Sequence, residues 1–179
     1  MVDDSQVSSK DLINLSEYCD FNKFFLVEEI ALEPDYTQLH YGKCLVIGKL
    51  RRNVEGDFEL ENIHLPNLPN EYSLPEGFLS VHLLTFSYLG IELEDGHFCE
   101  IYAELVLLNL ENRDANKSQL TVRGLQEILC HTEESQKQKK ITEYTKSHKP
   151  ALRVYDVKKI DRAGELAERN LRIRMIAQL

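Results

Sequence analysis

Residues 90–110 read GIELEDGHFCEIYAELVLLNL, and this stretch decides the fold. Asp95-Gly96 between two alternating runs is the strongest short-range signal of a β-hairpin. From His97 to Leu110 the side chains alternate, since successive residues of a strand point to opposite sides. Cys99, Ile101, Ala103, Leu105 and Leu107 share one face; Phe98, Glu100, Tyr102, Glu104 and Val106 share the other. The first set is a core face and the second is acidic and aromatic. Residues 86–111 hold six acidic side chains and no basic one. A phosphate backbone laid there meets like charge, which argues against a nucleic-acid platform. Solvent or a basic protein partner fits that face better.

Working outward, four more runs read as strands. Phe24 to Leu32 is closed by Glu33-Pro34-Asp35, a turn signal. Gly42 to Arg52 is apolar on both sides in its middle, as a central strand is. Phe58 to Leu65 follows the turn Val54-Glu55-Gly56-Asp57, and Leu79 to Leu89 leads into the Asp95-Gly96 hairpin. Between the last two, Pro66, Pro69 and Pro75 exclude a long helix. Thr121 is placed to cap a helix carrying Val122, Leu125, Ile128 and Leu129. That helix fades at Gln136–Lys140, and 141–150 reads as a polar link. Leu152, Val154 and Val157 fit a short strand. The last segment has two readings. Val157, Ile160, Gly164, Ala167 and Leu171 follow a heptad seam, which favours helix. Leu171, Ile173 and Met175 alternate with arginines, which fits a strand.

The expected fold is therefore β-rich (α+β). A five-stranded barrel of OB-fold type carries a helix after its last strand and a C-terminal helical extension. Residues 1–21 form an N-terminal segment with a short helix on Leu12, Leu15 and Tyr18; 22–140 form the barrel domain; 141–179 form a basic extension.

Charge divides the same way. Residues 137–179 carry twelve Lys/Arg against five Asp/Glu, a net +7, while 1–136 carry nine against twenty-five, a net −16. A basic tail on an acidic body points to an acidic target, or to the body itself. Ile160, Leu166, Ala167, Leu171, Ile173 and Met175 place more apolar surface on that tail than an isolated segment leaves in water. They are the candidate partner-binding residues. Candidate nucleic-acid contacts are two basic clusters, Lys49, Arg51 and Arg52 at the end of one strand and Lys137, Lys139 and Lys140 at the end of the helix, with Arg169, Arg172 and Arg174 of the tail as a third place.

Catalytic chemistry finds little footing. Cys19, Cys44, Cys99 and Cys130 form no CxxC pair, which fits reduced, buried thiols. Cys130-His131 and His97/Cys99 lack a second pair at zinc spacing. Glycine-rich phosphate loops and the serine-hydrolase elbow are absent from the sequence. No run of 18 apolar residues is present either, so no membrane helix is expected. The expectation is a non-enzyme without cofactor.

The order of elements, with the runs FFLVEEIALE, GKCLVIGKLRR and FCEIYAELVLL, resembles the small OB-fold subunits of replication protein A and of the telomere-capping complexes that imitate it. Across the whole chain, length, acidity and body resemble a subunit of the terminin capping complex. The resemblance implies a nuclear, telomeric, non-enzymatic scaffold in a hetero-oligomer with other OB-fold capping subunits of the Verrocchio type. It implies single-stranded DNA contacted through the complex, weakly or not at all by this chain alone. A helix after the barrel serves subunit association in such relatives. One departure is the proline stretch 66–77, which stands where a helix between strands three and four is usual. A β-rich interaction adaptor unrelated to DNA is the alternative.

Overall fold

The computed structural model describes residues 23–39, 43–64, 78–84, 94–111 and 119–177, with side chains through Arg174. The expected helix before residue 21 and the proline stretch 66–77 lie outside the described residues. Among the described residues seven strands form one sheet: β1 (Lys23–Leu26), β2 (Lys43–Arg52), β3 (Phe58–Glu61), β4 (Ser80–Leu84), β5 (Phe98–Asn109), β6 (Gln119–Thr121) and β7 (His148–Lys159). The described residues also form four α-helices, α1 (Val27–Ala31), α2 (Val122–Cys130), α3 (Glu134–Ser147) and α4 (Ala163–Ala177), and a 3-10 turn at Tyr36–Gln38.

The sheet closes because β2 pairs with β3 on one side and β5 on the other. The cycle β2–β3–β4–β7–β5–β2 is a closed five-stranded barrel of OB-fold type, with β4 and β7 parallel. Gly48 lies where β2 changes partner from β1 to β3. A Cβ there would meet Leu60 Cγ at 2.4 Å and the Glu61 carbonyl at 2.6 Å, so β3 crosses closely where no side chain stands in the way.

Three expectations change in the structure. The run Phe24–Leu32 is strand only to Leu26 and then turns into α1. Val27 and Ile30, three apart, both bury, and the Glu29 carboxylate accepts the Leu26 N–H at 2.6 Å. Helical spacing plus a capping carboxylate overrides the strand run. Second, among the described residues β5 pairs with β2, β6 and β7, not with β4. The Asp95-Gly96 turn is present, with Gly96 at φ +91, but it docks on Leu50 of β2 through bonds of 2.8 Å. Third, the fifth wall of the barrel is β7, from the span read as an extension. The proline stretch thus falls between the second and third barrel strands, not between the third and fourth.

The interior is one apolar cluster. Val46, Leu50, Leu60, Val81, Ile101, Leu105, Leu107 and Leu152 fill it, and Tyr36, Leu39, Val122, Leu125 and Leu129 plug the end where β5 finishes. The plug helix α2 begins as the sequence indicates, with Thr121 Oγ1 accepting the Gly124 N–H at 3.0 Å. Helix α3 spans most of the expected polar link and leans on the core through Ile141 and Tyr144.

Candidate interaction site on the barrel exterior

The outer face of β5 carries Phe98, Glu100, Tyr102 and Glu104, as its alternation predicts, and α4 lies across its first half. A second apolar cluster forms there: Leu26, Leu45, Ile47, Ile63 and Ile160 on the barrel, Leu166 and Ile173 from α4, and Phe98 and Tyr102 at the edge. Charge fixes the crossing. Glu100, 5% exposed, receives Arg169, which also bonds Glu165 at 2.6 Å. The Tyr102 hydroxyl donates to Glu100 at 2.8 Å, and the carboxylate beside it pushes the phenol above its ordinary range.

A second contact is deeper. Arg174 and Glu28 lie 2.7 Å apart, and each is under a tenth exposed. The contact is ionic, because that Glu28 oxygen accepts no aligned hydrogen bond. Arg174 instead donates from Nε to Asn170 Oδ1 at 2.8 Å and toward the Ile63 carbonyl at 3.3 Å. Farther along β5, Glu104 accepts from Arg153 at 2.9 Å and from the Tyr155 hydroxyl at 2.7 Å. The basic tail therefore lies against its own acidic body.

This placement divides the candidate partner-binding residues. Ile160, Leu166 and Ile173 are buried on their own barrel. Leu171, 42% exposed, and Ala167 face out. Met175 lies on α4, with its side chain outside the described residues. Sequence reading missed Glu28 and Asn170, and it read Arg174, with Arg169 and Arg172, as a phosphate contact, whereas Arg169 and Arg174 pair with the barrel's own carboxylates. The signal for Asn170 is the i, i+4, i+7, i+8 set Leu166, Asn170, Ile173, Arg174, one face of a helix with two polar members.

The two basic clusters are not brought together. Lys49, Arg51 and Arg52 end β2 beside the Glu94–His97 turn, whereas Lys137, Lys139 and Lys140 sit on α3, which enters β7 at the opposite barrel end. Arg51 pairs with Glu61 at 3.0 Å and Asp95 at 3.7 Å, and Arg52 covers the Phe58 ring at 4.6 Å. Lys49 lies 5.9 Å from the Phe98 ring centre. Lys137 pairs with Glu134, Lys139 with Glu143, and Lys140 donates to Thr132.

OB barrels hold oligonucleotides on the outer face of their second and third strands, here β3 and β4. That face presents Glu59, Glu61, Ser80 and His82, with the Ser80 hydroxyl donating to Glu59 at 2.7 Å. Burial, then the nearby Lys149 charge, holds the His82 imidazole below its ordinary range, so it adds little positive charge at neutral pH. Burial pushes the Cys44 and Cys99 thiols up to about 12, far from a thiolate nucleophile. Among the described residues no three His, Cys, Asp or Glu side chains are grouped to hold a metal ion, and no helix is long and apolar enough to cross a membrane.

A closed barrel of this order, with a docked helix after its last strand, is of OB type. A family profile described as "Modigliani telomere protection protein" matches residues 20–177. The chain belongs to the Modigliani family. The protein modigliani of Drosophila melanogaster is 33% identical over 168 residues, covering 90% of this chain and 92% of that protein. The match to the Modigliani profile runs through α4, so the family pattern includes the docked helix as well as the barrel.

Proposed function

We propose that the chain is a non-enzymatic scaffold subunit of a chromosome-end capping complex in the nucleus, acting through protein–protein contacts. The observation that carries this is the carboxylate-lined β3–β4 face in a member of a family described by telomere protection. An OB barrel whose oligonucleotide face carries the carboxylate of Glu59, with Glu61 buried against Arg51, gives phosphate a poor seat, so single-stranded DNA is held by the assembly rather than by this chain alone. Its partners are other OB-fold capping subunits, of the Verrocchio type. The outward side of α4, with Leu171 and Ala167, is the free apolar surface for that contact. Lys49, Arg51 and Arg52 at one end, and Lys137, Lys139 and Lys140 at the other, are the positions from which the chain adds phosphate contacts within the assembly.

The test is chromatin immunoprecipitation of the tagged full chain, paired with fluorescence anisotropy of the purified chain on single-stranded DNA. The expected result is enrichment of chromosome-end DNA in cells with weak or no binding in isolation at physiological salt. Failure to enrich chromosome ends would leave the adaptor unrelated to DNA as the better account.

A further inference from the structure

The strip beneath α4 has the composition of a binding site more than of a core. Its floor is apolar, with Leu26, Leu45, Ile47, Ile63 and Ile160. Its walls hold two carboxylates, Glu28 and Glu100, each under a tenth exposed. The helix that fills it meets floor with Leu166 and Ile173, and walls with Arg174 and Arg169. Asn170, 1% exposed, steadies Arg174. A helix needed only to cover the floor gains as much or more from apolar side chains, because a buried ion pair is often no better than well-packed hydrocarbon. What such a pair does supply is register and choice of partner. The barrel's strand ladder closes without any bond from α4, and only Asp161 and Arg162 tether the helix to the barrel-bound Ile160.

We propose that this strip is a docking groove for a basic amphipathic helix of a partner protein, and that α4 occupies it in cis as a displaceable competitor. The helix it accepts carries apolar residues at i and i+7, arginines at i+3 and i+8, and a short amide at i+4, as Leu166, Ile173, Arg169, Arg174 and Asn170 do. Mixed acidic and apolar walls reject a neutral helix on desolvation and an acidic one on charge. The groove has this chemistry whether or not the chain works at chromosome ends.

The probe is a fluorescein-labelled peptide of residues 161–177, titrated into two full-length chains: wild type, and the double substitution Ile173→Asp, Arg174→Glu, which expels the resident helix and leaves the groove untouched. A cis competitor is present at millimolar effective concentration. The substituted chain should therefore bind the probe at least about tenfold more tightly than wild type. Adding Glu28→Lys should abolish that gain. Hydrogen exchange reads the same point without a variant: wild-type α4 amides should exchange at least about tenfold faster than those of β5. Equal probe binding by both chains, or loss of β5 protection in the double variant, would overturn the proposal, as would α4 and β5 exchanging together. A wild-type chain that proves to be a helix-swapped dimer would also overturn it, since a second copy would then be the occupant.

Discussion

Glu104 and Leu105 are neighbours on β5, yet they live under different rules. Leu105 is fully buried among hydrocarbon of the barrel interior, where volume decides energy and almost any loss leaves a void. Glu104 faces out, held by Arg153 and Tyr155, where partners can be exchanged with solvent. The same division runs the length of the strand: Cys99, Ile101 and Ala103 inward, Glu100 and Tyr102 outward. The interior supplies stability without selecting what touches it. The exterior pairs through charge, and contributes less to holding the barrel closed.

Substitutions can break this contrast in order of size. Leu105→Ala should cost ~2–5 kcal/mol through lost transfer energy and a cavity. Urea unfolding reads it, and a midpoint within error of wild type would deny that β5 lines the core. Gly48→Ala comes next, at ~1–3 kcal/mol, because the new methyl meets the Glu61 carbonyl, which is backbone and yields poorly. Thr121→Ala removes the α2 cap and should cost ~1 kcal/mol, with Thr121→Ser restoring most of it in the same assay. The smallest effect is on pH. His82 and His148 are both held below their ordinary range, chiefly by burial. A group whose folded pKa is depressed gains protons first in the unfolded chain, so its contribution is present above the unfolded value of about 6.5 and fades as pH falls through it. Thermal midpoints should drop on acidification from pH 7 toward 5, and His148→Gln should flatten that slope. A steeper slope in the variant would reverse the assignment.

Much of this was legible in the residues. Strict alternation identified both faces of β5, and the Thr121 cap located α2, because each signal is local. What failed was pairing, which is not local. Asp95-Gly96 specifies a turn but not the partner strand, and the bonds to Leu50 come from residues more than forty positions away. The larger miss was the length and place of β7, read only as a short strand on Leu152, Val154 and Val157 outside the barrel. Its register against β5 shifts between Tyr102 and Ala103, so Tyr155 is an extra residue, a bulge. Val154 and Val157 both face the interior despite lying three apart. That spacing, continued to Ile160, imitates one face of a helix and draws the eye away from a strand. The acidic side of the exterior site was visible as a cluster of glutamates, and the basic side as an arginine-rich tail. Their meeting across Arg174 and Glu28 depends on α1, which the sequence disguises as strand.

The late position of β7 also governs how the protein is made. β4 and β7 pair in parallel across more than sixty intervening residues, and β5 waits for β7 along its whole outer edge. During synthesis, at roughly 5–20 residues per second, the wall between β4 and β5 stays open until the segment around His148–Lys159 has left the ribosome. The nascent chain then carries two unsatisfied strand edges for several seconds. A premature stop anywhere before β7 does not yield a shorter barrel. It yields an unclosed sheet with its apolar interior facing water, a substrate for chaperones and proteases.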